Sequence, residues 1–246
     1  MNATNSVVAL GRLEIRRALR NRRVMFFTVL YPVLLFLLSA SSVKGKNVPG
    51  TNIPYVDYFL VAYASFGVIA ATLNNNAMRI AQERKEGWIR QLRLTAAPSY
   101  GYVTSKIAAS LIVVVPAIVI TFLVGTTQGV KLDANQWISA FVVIWLGSLA
   151  FTAMGIAIGY GVPQDAVQPV TLIIYVAGSF LGGQFFAVSG ALETIGKALP
   201  TFWVREIATE VISKNPVSWN GVAILAGWVV GCAALAAFMY VKRAED

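Results

Sequence analysis

Six long apolar runs, separated by short polar or charged connections, constrain this chain more than any other feature. A helix needs about 20 mainly apolar residues to cross the hydrocarbon core of a bilayer. Residues 24–43, 56–77, 107–125, 137–160, 169–187 and 221–241 meet that requirement. Asp57 lies at the edge of the second run, so no charge falls in the interior of any of them. Of the 246 residues, 57% are hydrophobic and 13% are charged. Soluble domains carry about 25% charged residues. The pattern predicts an all-α membrane protein with six transmembrane helices.

An even number of spans puts both termini on one side, and the basic residues choose the side. Fourteen of the 20 Lys and Arg residues precede the first span, lie between the second and third, or follow the last. The positive-inside rule therefore predicts a multi-pass protein of the cytoplasmic membrane with both termini in the cytoplasm. Trp137, Trp203 and Trp219 fall near the expected outer boundary, where interfacial aromatics collect. The net charge of +9 flanks apolar runs, so lipid headgroups are its expected counter-charge rather than nucleic acid.

Three segments are not plain spans. Residues 6–23 read as a basic amphipathic helix, with Arg12, Arg16, Arg20 and Arg23 on one face and Val8, Ile15 and Leu19 beside it. Residues 78–106 form the longest cytoplasmic connection. There Glu86 and Arg90, and Trp88 and Leu92, are i,i+4 pairs; Gly87 weakens the helix and Pro98 ends it. Such a helix is either a docking surface or a solvated face. The outer connection, 188–220, is half apolar but too short and too charged to span, and reads as short helices dipping into the outer leaflet.

Small-residue pairs, Gly155 with Gly159, Gly178 with Gly182 and Gly227 with Gly231, allow close helix approach within one subunit or at a dimer seam. Pro32 and Pro116 are expected to kink their spans.

Several chemistries lose support at this level. There is no histidine and one cysteine, Cys232, so no common metal set or disulfide framework can be assembled within the chain. The span interiors hold no acid or base of the kind used for proton coupling. No GxxxxGK[ST] phosphate loop occurs. Leu181-Gly182-Gly183-Gln184 looks like part of an ATPase signature but sits in an apolar run, where its glycines suit helix packing or a bend. The charge-free span interiors also speak against an intramembrane enzyme.

These features together resemble the ABC-2 type transporter permeases, the group that includes daunorubicin-resistance-type drug exporters and polysaccharide exporters. The resemblance rests on the basic helix before the first span, Glu83-Arg84-Lys85-Glu86-Gly87 followed by Leu92 in the first inner loop, and Leu199-Pro200 with aromatics before the last span. It covers nearly the whole chain as one transmembrane domain, 1–246. It implies that residues 83–94 form a coupling helix seated in a cytosolic ABC ATPase, with Glu83, Arg84, Glu86, Gly87, Trp88, Arg90 and Leu92 as the interface. Trp88 departs from the family's usual threonine. It implies re-entrant outer helices carrying Leu199, Pro200, Phe202 and Trp203. It also implies two ATPase copies, which would hold the ATP and magnesium, and a second permease subunit, identical or homologous.

The apolar and aromatic span interiors suit a hydrophobic or amphipathic substrate such as a drug, antibiotic or lipid. Export of a lipid-linked polysaccharide is the alternative within the transporter class. A membrane scaffold recruiting a cytosolic partner is the alternative outside it. No residue is assigned to substrate.

Overall fold

In hydrocarbon every backbone N–H and C=O must find a partner within the chain, and a helix does this residue by residue. The computed structural model accordingly shows no β-strand among its described residues, which are 11–16, 20, 26–88, 91 and 99–242. Residues 11–16 are helical. A π-helical turn, Phe26–Leu30, leads into α1, Tyr31–Ser42. Pro32 falls where the π-helical turn passes into α1, and it has no N–H to give the helix ladder there.

The helix α2, Tyr55–Ile69, passes through a π-helical segment, Ala70–Asn74, into α3, Asn75–Lys85. After the turn at Gly87 the chain re-enters the bundle as α4, Ser99–Thr127, followed by α5, Ala134–Gly161. Asp133 and Gln136 close a capping box at the start of α5. Then come α6, Gln164–Leu181, the short α7, Ala191–Gly196, α8, Pro200–Ile212, and α9, Trp219–Lys242.

The core is built around α2, which is buried continuously from Tyr58 to Ile69 and packs against α1, α4, α5 and α8. The second hub is α5, in contact with α3, α4, α8 and α9. Close approach here depends on two glycines. A Cβ at Gly155 would come within 2.6 Å of the Leu73 carbonyl oxygen, and one at Gly159 within 2.7 Å of the Ile80 Cβ. Nothing lies within 4 Å of the corresponding positions at Gly227 and Gly231 on α9.

Among the described residues four helices are long and apolar enough to cross a membrane: Tyr55–Lys85, Tyr102–Thr127, Ala134–Gly161 and Trp219–Met239. The expected first span is a shorter apolar helix over Thr28–Ser42, and its leading residues 24 and 25 lie outside the described residues. The expected fifth span starts earlier than its apolar run and stops at Leu181, because the chain turns at Gly182 and Gly183, the latter at φ +74°. The helix of the expected second span runs on past Ala77 to Lys85. Trp203 is buried; its indole N–H donates to the Lys197 carbonyl and its ring packs over Gly221.

Candidate functional site

The continuation of α2 into α3 carries charged residues inward, and what meets them defines the candidate site. The Glu14 carboxylate is 2.9 Å from the Arg79 guanidinium and 3.1 Å from the Lys106 ammonium. Lys106 also lies 2.8 Å from Glu83, and Arg79 is 3.8 Å from Glu83 one helical turn away. The Tyr102 hydroxyl donates to Glu83, and the Lys106 ammonium stands 5.1 Å from the centroid of the Tyr102 ring. Two carboxylates thus face two cations.

Charges removed from water persist only when paired and hydrogen-bonded. This cluster satisfies that condition by drawing on the helix at 11–16, on α3 and on α4. Below it, Asn76 donates to Ser110 Oγ and to the Thr72 carbonyl, tying α3 to α4 a second time.

Arg84, adjacent to Glu83, makes a different tie. Its guanidinium donates to the carbonyls of Tyr160 and Val162, at 2.7 Å for the latter. These carbonyls end α5, where a cation also complements the helix dipole. The helix then breaks at Gly87, whose φ of +72° is the left-handed value that glycine adopts without a Cβ penalty. Trp88 follows the turn and packs on the cluster of Ile80, Tyr102, Ile156, Tyr160 and Ala236. Gln82, Lys85 and Glu86 are exposed, with Gln82 donating to Glu86.

The residues expected at the coupling interface therefore divide. Glu83 and Arg84 turn into the bundle, Trp88 is half-buried against it, and Glu86 faces outward beside Gly87. Arg90 and Leu92 lie outside the described residues, and so do Pro98 and the expected Glu86–Arg90 and Trp88–Leu92 pairings. Arg12, Arg16 and Arg20 are exposed; Arg23 lies outside the described residues.

At the opposite end of the bundle, Leu199 is the N-cap of α8, Pro200 opens its first turn, and Pro200, Phe202 and Trp203 are buried. Arg205 on the same helix is 3% exposed. Its Nε donates to the Gly182 carbonyl at 2.9 Å, it pairs with Glu206 at 2.7 Å, and its guanidinium carbon stands 5.1 and 4.9 Å from the centroids of the Tyr58 and Phe202 rings. The Tyr58 hydroxyl donates to the Gly183 and Phe186 carbonyls. Gln184 donates to the Thr201 carbonyl, and Thr201 to that of Gly178. The Gly-Gly-Gln break after α6 is thus the seat of α8.

Sequence reasoning missed Glu14, Lys106, Tyr102, Tyr58 and Arg205. One signal was available: Glu14 is the single acid among the six arginines of the N-terminal segment. The core aromatics pack on one another, as in Phe66 with Tyr175 at 4.6 Å and Phe66 with Phe185 at 5.1 Å. Among the described residues no group of three His, Cys, Asp or Glu side chains is placed to hold a metal.

A family model described as ABC-2 family transporter protein matches residues 43–240. The chain is also similar to a protein of Bacillus subtilis (strain 168) named "Putative transport permease YvfS", with 23% identity over 241 residues, covering 95% of each chain. The family match spans most of a helical bundle with four helices fit to cross a membrane. The chain therefore belongs to the ABC-2 family of transporter proteins and is a multi-pass membrane subunit.

Proposed function

We propose that this subunit works in an ATP-driven exporter, joined to a separate cytosolic ABC ATPase and moving a hydrophobic or amphipathic molecule out across the cytoplasmic membrane. The observation that carries the reading is the Glu14–Arg79–Glu83–Lys106 cluster immediately before the Gly87 turn. A loop transmits a partner's motion only if it is rigidly joined to the elements that move. Here α3 continues α2 into the core, is locked to α4 by Lys106, and is locked to the end of α5 by Arg84. Displacement at the loop is passed to three helices at once.

In this reading α1, the α2–α3 helix, α4, α5, α6 and α9 are the six spans. The excess of Lys and Arg puts both termini and the Gly87 turn in the cytoplasm, with α7 and α8 re-entrant at the outer side. Glu86, Gly87, Arg90 and Leu92 present the ATPase contact, while Glu83, Arg84 and Trp88 hold it from within. Two such subunits, identical or related, would pair with two ATPase copies that bind ATP and magnesium. The apolar, aromatic bundle supports a hydrophobic or amphipathic cargo.

The test is a pull-down of the tagged full-length chain in mild detergent from its own membrane, with ATPase activity measured on the eluate. Co-elution of an ABC ATPase, reduced by Lys85→Glu with Glu86→Lys, is the expected result. Recovery of intact protein with no ATPase, or with an ATPase indifferent to those changes, would favour the membrane scaffold.

A further inference from the structure

We propose that the π-helical segment Ala70–Asn74 is a hinge inside the α2–α3 rod, and that Asn76 is the latch that holds it. The rod is fastened at both ends. Tyr58 bonds its outer end to the Gly183 and Phe186 carbonyls, while Glu83 and Arg84 tie its inner end to α4 and α5. A plain α-helix between two such ties would move only as one body. A π-helical turn is an α-helix carrying one extra residue, so the ladder changes register there and a carbonyl loses its usual donor. Each residue by which that register travels along the rod turns the stretch it crosses by about 100° and shifts it by about 1.5 Å. The two ends stay docked while the middle turns.

Side chains, and not the ladder alone, hold the segment in its present register. The Thr72 carbonyl accepts from the Asn75 N–H and, at 2.7 Å, from the Asn76 side-chain amide. The same amide nitrogen donates to Ser110 Oγ at 2.8 Å, and Ser110 Oγ donates to the Lys106 carbonyl. Lys106 belongs to the charged cluster, so the latch is connected to the inner ties of the rod. Asn76 is buried, which makes each of its hydrogen bonds costly to lose. The neighbouring helix leaves the segment's carbonyls unobstructed. At Gly155 no side chain of α5 stands against the Thr72 and Leu73 carbonyls, where a Cβ would come within 3.0 and 2.6 Å of their oxygens. The other π-helical turn, Phe26–Leu30, is in contact with this one, so two irregular turns meet at one level of the bundle. The inference goes beyond the proposed export role and does not depend on an ATPase, because the register belongs to the subunit's own helix.

The test is hydrogen–deuterium exchange on the full-length protein in detergent, with no partner added. In the wild type, amides 72–77 should exchange several-fold faster than amides 60–66 and 79–84 of the same rod. Asn76→Leu should speed 72–77 several-fold further and leave 140–150 unchanged. Asn76→Gln, which keeps an amide, and Ser110→Ala, which keeps the bond to Thr72, should each give a smaller rise. Deleting Ala71 restores an unbroken α register and should slow 72–77 to the rate of its flanks, with or without Asn76→Leu. That comparison separates a latch from general support. If Asn76→Leu speeds exchange equally with Ala71 present or deleted, Asn76 only stabilises the helix and the latch is overturned. A wild type in which 72–77 exchange no faster than their flanks would overturn the hinge, whatever the variants do. So would a deletion that leaves the fast exchange in place.

Discussion

The Lys106 ammonium lies 2.8 Å from a Glu83 carboxylate oxygen, and the two side chains are 2% and 10% exposed. Breaking a buried pair from one side leaves an uncompensated charge and costs about 3–5 kcal/mol. Lys106→Met should be the most damaging single change here, because it leaves Glu14 and Glu83 facing one remaining cation, Arg79. Glu83→Gln should be milder, since Glu14 still neutralises Lys106. The double variant should lose less than the sum of the two. The measurement is the fraction of monodisperse protein surviving a heating series in detergent. Additive losses would show that the pair is not coupled.

Arg84 closes the end of α5 by donating to the Tyr160 and Val162 carbonyls. Hydrogen bonds from a charged group contribute about 1.5–3 kcal/mol each. Arg84→Ala should therefore fray the last turn of α5 and speed hydrogen–deuterium exchange at residues 160–164 while leaving 140–150 unchanged. Arg84→Lys should recover part of the protection, since an ammonium reproduces the charge but not the two-pronged geometry. Unaltered exchange in Arg84→Ala would remove the tie from the coupling argument.

The glycine pairs give a contrast within one chain. Gly155→Ala would place a methyl group against the Leu73 backbone oxygen, which cannot swing aside as a side chain can. Overpacking of this kind costs about 1–3 kcal/mol, and the variant should lose thermal survival in detergent. Gly227→Ala and Gly231→Ala meet open space and should leave survival of the isolated subunit at or above the wild-type value. Equal loss in both sets would contradict the packing described for α5.

The four long spans were legible in the sequence because each is a sustained apolar run with its charges at the ends. The extension of the second span past Ala77 was not. Residues 79–85 read locally as a charged loop, and the partners that make the burial of Glu83 tolerable, Lys106 with Tyr102, and Glu14 through the shared cations, lie 23, 19 and 69 positions away. Arg205 is the same case. In sequence it is a charge that disqualifies a span; in the fold the Gly182 carbonyl and two aromatic faces surround it. Periodicity reports which residues share a face, and it is silent on the distant group that satisfies a buried charge. The Gly-Gly-Gln segment shows the limit differently. Its glycines signalled a bend, but nothing in the sequence tied that bend to Thr201 and Arg205.

Arg205 provides the last prediction. It fastens α8 to the break after α6, while Tyr58 fastens the same break to α2. Arg205→Ala removes the Nε donor from the Gly182 carbonyl, leaves Glu206 without its partner, and vacates the space between Tyr58 and Phe202. Arg205→Lys keeps a cation but loses the planar stacking and the directed Nε bond. Tyr58→Phe removes one neutral donor shared by two carbonyls, a change of about 1 kcal/mol. Hydrogen–deuterium exchange at residues 182–188 should therefore rise most in Arg205→Ala and less in the other two. Residues 75–85, at the other end of the bundle, should not respond. A response at both ends would mean that Arg205 supports the whole bundle, whereas a rise confined to 182–188 would make the α8 seat a locally releasable closure.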